Sequence, residues 1–207
     1  MAIAAYSELL PSMNVRLPDC SAAMIEQALW LAGREFCLET EAYIVTLDSI
    51  DGVADQKEYT LTIPTQFDPI RVFEVRRLTE DEVTDGDKGT KIEPSEFDFH
   101  IFTNILEFAV APFQENITDG LVVKLVLAPQ EDGDDTELDF DWIRRWSRYI
   151  KAGAFHHLFS MPQSPWYSQA EAGKWYDEFR KGIGYARREV KIQGTTRQLR
   201  IAGGAFL

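Results

Sequence analysis

The stretch "HHLFSMPQSPWYSQAE", His156 to Glu171, sets Pro162 and Pro165 between two runs of helical apolar period. A proline inside a helix removes a backbone donor and its ring clashes with the preceding turn, so the first run must stop ahead of Pro162. Beyond Pro165, Ser168 and Glu171 stand at capping-box spacing, which starts a helix again. Two helices joined by a tight turn over 162–167 are therefore expected, a helical hairpin. The same stretch holds His156 and His157, but neighbours project about 100° apart on a helix. Metal-binding helices place their ligands at i and i+4 instead. His100 stands in a β-rich region with no His or Cys near it in sequence. No metal and no cofactor are expected, and the paired histidines read as packing and capping groups.

Outward from this turn, the leading helix is expected over 138–161. Ile143, Ile150, Ala154, Leu158 and Met161 make one apolar stripe, Trp142, Trp146, Tyr149 and Gly153 a neighbouring one, and Arg144, Arg148 and Lys151 a basic face. Two apolar stripes on one helix mean two contact surfaces, one for the core and one for a subunit interface. Ahead of it, the acidic run Glu131 to Glu137, with Thr136 and Asp139 at capping-box spacing, favours a helix N-terminus through hydrogen bonds and the macrodipole. The trailing helix is expected over 168–191, with Ala172, Tyr176, Phe179, Ile183, Ala186 and Val190 on one stripe and Trp175 beside it. Gly173, Gly182 and Gly184 each cost up to about 1 kcal/mol of helix propensity, a cost that close helix packing would offset.

Nearer the N-terminus, "DCSAAMIEQALWLAGREFCLETEAY" repeats Ile25, Leu29, Ala32 and Phe36 at helical period, with Asp19 or Ser21 as the cap. This predicts a helix over about 20–40. From Tyr43 the period changes to two. Tyr59, Leu61 and Ile63 alternate with Thr60 and Thr62, and Leu121, Val123, Leu125 and Leu127 alternate ahead of Pro129. Further β-rich runs are "YIVTLDSI", "PIRVFEVRRL" and "NILEFAVAP", separated by turn-rich "DGVADQ" and "TDGDKGTK". Short strands without intervening helices predict an antiparallel sheet or small sandwich. The fold class expected is α+β: a helical bundle of one N-terminal helix plus a C-terminal helical hairpin, with an inserted antiparallel β domain and an extended C-terminal arm. The boundaries read as 1–42 and 130–192 for a discontinuous helical domain, 43–129 for the β domain and 193–207 for the arm.

The net charge of −13 is unevenly spread: residues 1–141 carry 9 Lys/Arg against 30 Asp/Glu, and residues 142–207 carry 12 against 4, which gives −21 and +8. So acidic a chain does not suit a protein that wraps nucleic acid by counterion release. The basic C-terminal third reads as a salt-bridging, solvated helix surface. Cys20 and Cys37 bracket the first helix, about 25 Å apart at 1.5 Å per residue, so no disulfide between them is expected and free thiols suit a reducing cytoplasm. The N-terminal segment lacks a basic region followed by an apolar one, so no signal peptide is read, and no run reaches the roughly 18 apolar residues of a membrane span.

No catalytic constellation emerges. There is no phosphate-binding Gly-rich loop, no GxSxG and no CxxC, and "GGAFL" has no helix after it. "EDGDD", Glu131 to Asp135, lacks the spacing and closing Glu of a calcium loop and reads as a solvated helix-entry loop. The C-terminal "IQGTTRQLRIAGGAFL" alternates Leu199 and Ile201 with Arg200 between glycines and ends in Phe206 and Leu207. Such a segment suits an arm that orders on a partner, with Arg197 and Arg200 for carboxylates and Leu199, Ile201, Phe206 and Leu207 as apolar anchors.

The order helix, β insertion, helical hairpin and arm, together with "ALWLAGREFCLETEAY", "EYTLTIPTQFDPIRVFEVRRL", "LVVKLVLAPQEDGDDTELDFDWI" and "AGAFHHLFSMPQSPWYSQAEAGKWYDEFRKGIGYARREV", resembles the head-to-tail adaptor (neck, head-completion or tail tubular adaptor) proteins of tailed bacteriophages. The resemblance covers about residues 5–192, and its most telling pieces are "REFC" closing the first helix and "MPQSPWYS" opening the last. It implies a structural virion protein rather than an enzyme. Copies would form a homo-oligomeric ring, a dodecamer, that joins the portal protein of the head to a downstream nozzle or tail-tube protein. The ring would surround the DNA exit channel without sequence-specific binding and without contact with a membrane, and would be assembled in the host cytoplasm. The arm would carry the portal contact, and Trp142, Trp146, Tyr149, Arg144 and Arg148 would carry the ring interface. A more acidic β region and the "TDGDKGTK" loop set this chain apart from plainer members. The competing classes are another tail or baseplate structural protein, and a metal-dependent hydrolase using the Asp/Glu-rich β region.

Overall fold

Among the described residues the strands run antiparallel, in three sheets that share a core with the helices, so the fold is α+β. The computed structural model describes residues 3–4, 6–85, 89–130 and 138–194. In chain order these form β1 (Ile3–Ala4), a 3-10 turn (Tyr6–Leu9), α1 (Leu10–Asn14), α2 (Ala22–Thr40), β2 (Ile44–Thr46), β3 (Ile50–Gly52), β4 (Glu58–Thr60) and β5 (Phe67–Arg77). There follow α3 (Glu80–Asp85), β6 (Thr90–Ile92), a second 3-10 turn (Pro94–Glu96), β7 (Phe97–His100), β8 (Ile105–Phe108), β9 (Ile117–Pro129), β10 (Leu138–Asp139), α4 (Phe140–Phe159) and α5 (Gln169–Gly194).

The long strand β9 is the spine of the largest sheet. It pairs with β5 along one edge and with β2 and β3 along the other, while β6 extends the sheet beyond β5. Leu121, Val123, Leu125 and Leu127 are fully buried, as their alternation predicts, but Val126 and Ala128 are buried too. The end of β9 is therefore covered on both faces, where α2 packs against the strand. A second sheet, in the order β4-β8-β7, is closed by edge-to-face contacts of Tyr59 with Phe108 and Phe113.

Helix α2 begins at Ser21, whose hydroxyl accepts from the Met24 amide at 3.3 Å, which selects Ser21 over Asp19 as the cap. It ends on Glu41 in the left-handed region at φ 54°, whose amide donates back to the Cys37 carbonyl. Between them Ile25, Leu29, Ala32 and Phe36 are fully buried. Arg34 leaves this helix sideways, pairs with Asp68 at 3.0 Å and donates to the carbonyl of Pro129, which ties α2 to both β5 and β9. Cys20 and Cys37 are free and buried, and burial raises both thiol pKa values.

The turn after α4 forms where the prolines require it, with the Ser168 amide donating to the Phe159 carbonyl at 3.0 Å. Ser168 caps α5 by accepting from the Glu171 amide, while the Glu171 carboxylate takes the Trp175 indole N–H at 3.1 Å. The start of α4 differs from the sequence expectation. Residues 138–139 pair with 3–4 as a two-stranded ribbon, so the helix begins at Phe140 and Asp139 is its cap, accepting from the Trp142 amide at 3.0 Å. Thr136 and the acidic run from Glu131 lie outside the described residues.

Helices α2, α4 and α5 pack on one another. Gly153 lies where they meet: a Cβ there would stand 2.9 Å from both Ala32 and Phe179. At Gly182 a Cβ would stand 2.3 Å from the Tyr149 ring, so this glycine lets α5 approach α4 closely. Gly173 and Gly184 face open space, and packing does not account for them. The sequence reading also passed over α3, whose start is a capping box: Thr79 donates amide and hydroxyl to Glu82, and its hydroxyl accepts from the Glu82 amide.

Candidate functional site: two grooves on the helical face

The residues expected to form a ring interface sit on α4, and three of them pack within the chain. Trp146 is buried 5.4 Å from Phe36. Trp142 is half-buried, donates its indole N–H to the Ala42 carbonyl at 3.2 Å and lies edge-on to Tyr43. Tyr149 is half-buried against Gly182 and Tyr185. The second apolar stripe of α4 thus has contacts within the chain to α2, to α5 and to the segment ahead of β2. Of the basic pair, Arg144 is exposed, and Arg148 pairs with Glu178 of α5 at 2.5 Å while lying over the Tyr149 ring.

Trp142 and Trp146 also line an open cleft of about 380 Å³ between α4, α5 and β2, with Tyr43, Val45 and Val190 as its apolar walls. Asp139, Asp141, Arg145 and Glu189 form its rim, where Arg145 pairs with Glu189 at 2.6 Å. The expected docking arm, Arg197, Leu199, Arg200, Ile201, Phe206 and Leu207, lies outside the described residues.

A larger groove, about 560 Å³, opens between α1, α4 and α5. Arg16, Arg148, Lys151, Lys174 and Lys181 converge on it with Glu178 as the one carboxylate, and Trp175 and Phe155 form its floor. The Arg16 guanidinium lies 5.1 Å from the centre of Trp175 and 5.9 Å from that of Phe155, a cation–π placement that holds the charge at the groove. Lys151 donates to the Ser12 hydroxyl at 3.3 Å. Among the described residues neither Arg16 nor Lys151 has a carboxylate within ion-pair distance. A partial signal for this groove was legible in the chain, the basic excess after residue 141. Arg16 enters from far away in the chain, and no local pattern links it to Lys174.

The histidines serve helix packing. His156 Nδ1 lies 3.0 Å from the Ala172 carbonyl and its ring lies against Tyr176, which joins the two arms of the hairpin. His157 Nε2 stands 3.4 Å from a carboxylate oxygen of Glu35 on α2. The adjacent His157 imidazole holds the Glu35 carboxyl below the usual range. His100 pairs instead with Glu107 across the β7–β8 hairpin at 3.0 Å. Among the described residues no group of three or more His, Cys, Asp or Glu is placed to hold a metal ion, and no helix is long and apolar enough to cross a membrane.

A third charged feature ties α5 to the end of α2. Arg180 and Arg187 both reach the Glu39 carboxylate, at 3.0 and 2.7 Å, and Arg187 also donates to the Glu39 carbonyl. These arginines are part of the basic C-terminal third, and here their charge is spent inside the chain. No protein-family model matches the chain, and no curated protein does.

Proposed function

We propose that this chain is a structural subunit of a tailed-bacteriophage head-to-tail connector. It would act as a homo-oligomeric ring, a dodecamer, between the portal protein and the downstream tail component, with DNA passing through its channel. In this reading α2 and the α4–α5 hairpin form the helical body, residues 43–129 an inserted β domain, and residues 193–207 an arm for the portal. The observation that carries it is the chain order together with where the resembling segments fall. "REFC" contributes Phe36 to the seam between α2, α4 and α5, and the "MPQSPWYS" segment closes the hairpin that Phe179 packs against it. The role assigned is assembly, not catalysis.

Electron microscopy of the purified chain mixed with its portal tests the reading: rings seated on the portal support it, and long tubes formed by the chain alone assign it to the tail tube instead. Removing residues 195–207 should leave a folded subunit, since the packed stripe of α5 ends before Gly194. The truncated chain should no longer co-sediment with portal. Undiminished co-sedimentation would move the docking surface to the helices.

A further inference from the structure

We propose that the basic groove between α1, α4 and α5 seats the acidic β face of a second copy of this chain. The inference rests on the ring reading in one respect, that the partner is another copy. The groove gathers five cations around Glu178, which is engaged by Arg148 at 2.5 Å and Lys181 at 3.6 Å, while Lys174 pairs with Glu171 at 3.5 Å. Arg16 and Lys151 have no ion pair among the described residues, so the groove keeps a net positive charge. The matching charge lies on the sheet side. Asp48, Asp51, Glu58 and Asp119 are exposed around a shallow depression formed by β3, β4 and the start of β9, and none of them has an ion pair among the described residues.

The charge totals of +8 after residue 141 and −21 before it follow the same division. Since the two faces occupy different elements, a contact between them is heterologous. Repeated head to tail it gives a ring where the rotation closes. Charge complementarity of this kind fixes register and excludes wrong pairings. Duplex DNA is the other polyanion the groove could meet, but a chain of net charge −13 repels it at long range, and the groove offers no extended basic track.

Cancelling the charge on each face tests this. K174E/K181E turns the groove's five cations and one carboxylate into three of each, at two exposed lysines whose ion pairs lie within their own helix. D48K/E58K leaves two carboxylates beside two lysines on the acidic face, at two exposed positions. Circular dichroism melts establish that both variants fold. Sedimentation velocity of the full chain over a range of concentrations then reads self-association. Each variant alone should associate at least about tenfold more weakly than the wild type, because the attraction between the two faces is cancelled at every contact. An equimolar mixture should recover a pair of one variant with the other, because the unaltered groove of one meets the unaltered acidic face of the other. Assembly unaffected by either substitution, or no recovery of pairs on mixing, overturns the inference and leaves the connector reading standing. A wild-type chain that is monomeric at every concentration overturns it too, and the connector reading then stands or falls on portal binding. Duplex DNA binding lost in K174E/K181E, with self-association unchanged, assigns the groove to nucleic acid.

Discussion

Placing an alanine at Gly182 and, separately, at Gly184 isolates the close approach of α4 and α5. Both glycines lie inside α5, and each Gly→Ala change removes a helix-propensity penalty of about 1 kcal/mol. At Gly184 the new methyl meets nothing within 4 Å, so the gain should appear almost whole, as about 0.5–1 kcal/mol of added stability. At Gly182 the methyl would stand 2.3 Å from Tyr149 Cγ and 2.5 Å from its Cβ. No rotamer change moves a Cβ, so the two helices must part by about 1 Å to restore ordinary contact. That separation loosens the seam that buries Phe179, Ile183 and Ala186. Overpacking of this kind costs about 1–3 kcal/mol, and with both partners fixed by backbone the upper half of the range applies. Net of the propensity gain, G182A should lose about 1–2 kcal/mol. Urea denaturation at one pH gives the difference directly, and the melting temperatures should move apart by about 2–4 °C per kcal/mol. G182A stabilising the protein as much as G184A would refute the close crossing and with it the helix arrangement on which both grooves depend.

Three further outcomes are expected. Glu74 is held to a pKa of about 2, against an ordinary 4.5, chiefly by its hydrogen bond to Arg76 and then by Lys124. Its folded value is the lower one, so its contribution, at most about 3 kcal/mol, is present above pH 4.5 and lost as pH falls towards 2. Urea midpoints of E74Q should therefore fall less between pH 5 and 2 than those of the wild type. R34A should cost about 1–3 kcal/mol in denaturant unfolding, since it strands the Asp68 carboxylate and the Pro129 carbonyl at once. H156Q/H157Q should assemble with portal as the wild type does, with about 1–3 kcal/mol lost from packing and from the contact to Ala172; zinc retained through chelation by the wild type and lost in this variant would overturn that.

The elements that sequence revealed are those with local causes. Helix α2 announces itself by a stripe that is wholly buried and by a serine at its first turn. The hairpin turn follows from two prolines and a serine cap. What sequence missed depends on distant residues. Asp139 was expected inside the leading helix, but the pairing of 138–139 with 3–4 holds it outside as the cap. Periodicity shows that the second stripe of α4 is a contact face and not what it touches within the chain: Trp146 meets Phe36 of α2, and Tyr149 meets Gly182 and Tyr185 of α5. The basic groove had the same difficulty: its lysines were visible as a charge excess, whereas their convergence with Arg16 exists only after α1 docks beside the hairpin.

The central position of β9 has a consequence for how the protein is made. β2, β3 and β5 all pair with this one strand, and the paired residues are separated by about 40 to 80 residues of chain. While the ribosome is still upstream of residue 117, β2 and β3 have no mate and β5 has only β6, and the apolar side of α2 lacks both β9 and the hairpin helices that cover it. Closing loops of such length precedes any reward from pairing, which slows folding and leaves unpaired edges exposed meanwhile. The first β pairing this chain can complete during synthesis is that of β5 with β6, followed by the β7–β8 hairpin, and the main sheet condenses around β9 afterwards, once that strand has cleared the exit tunnel.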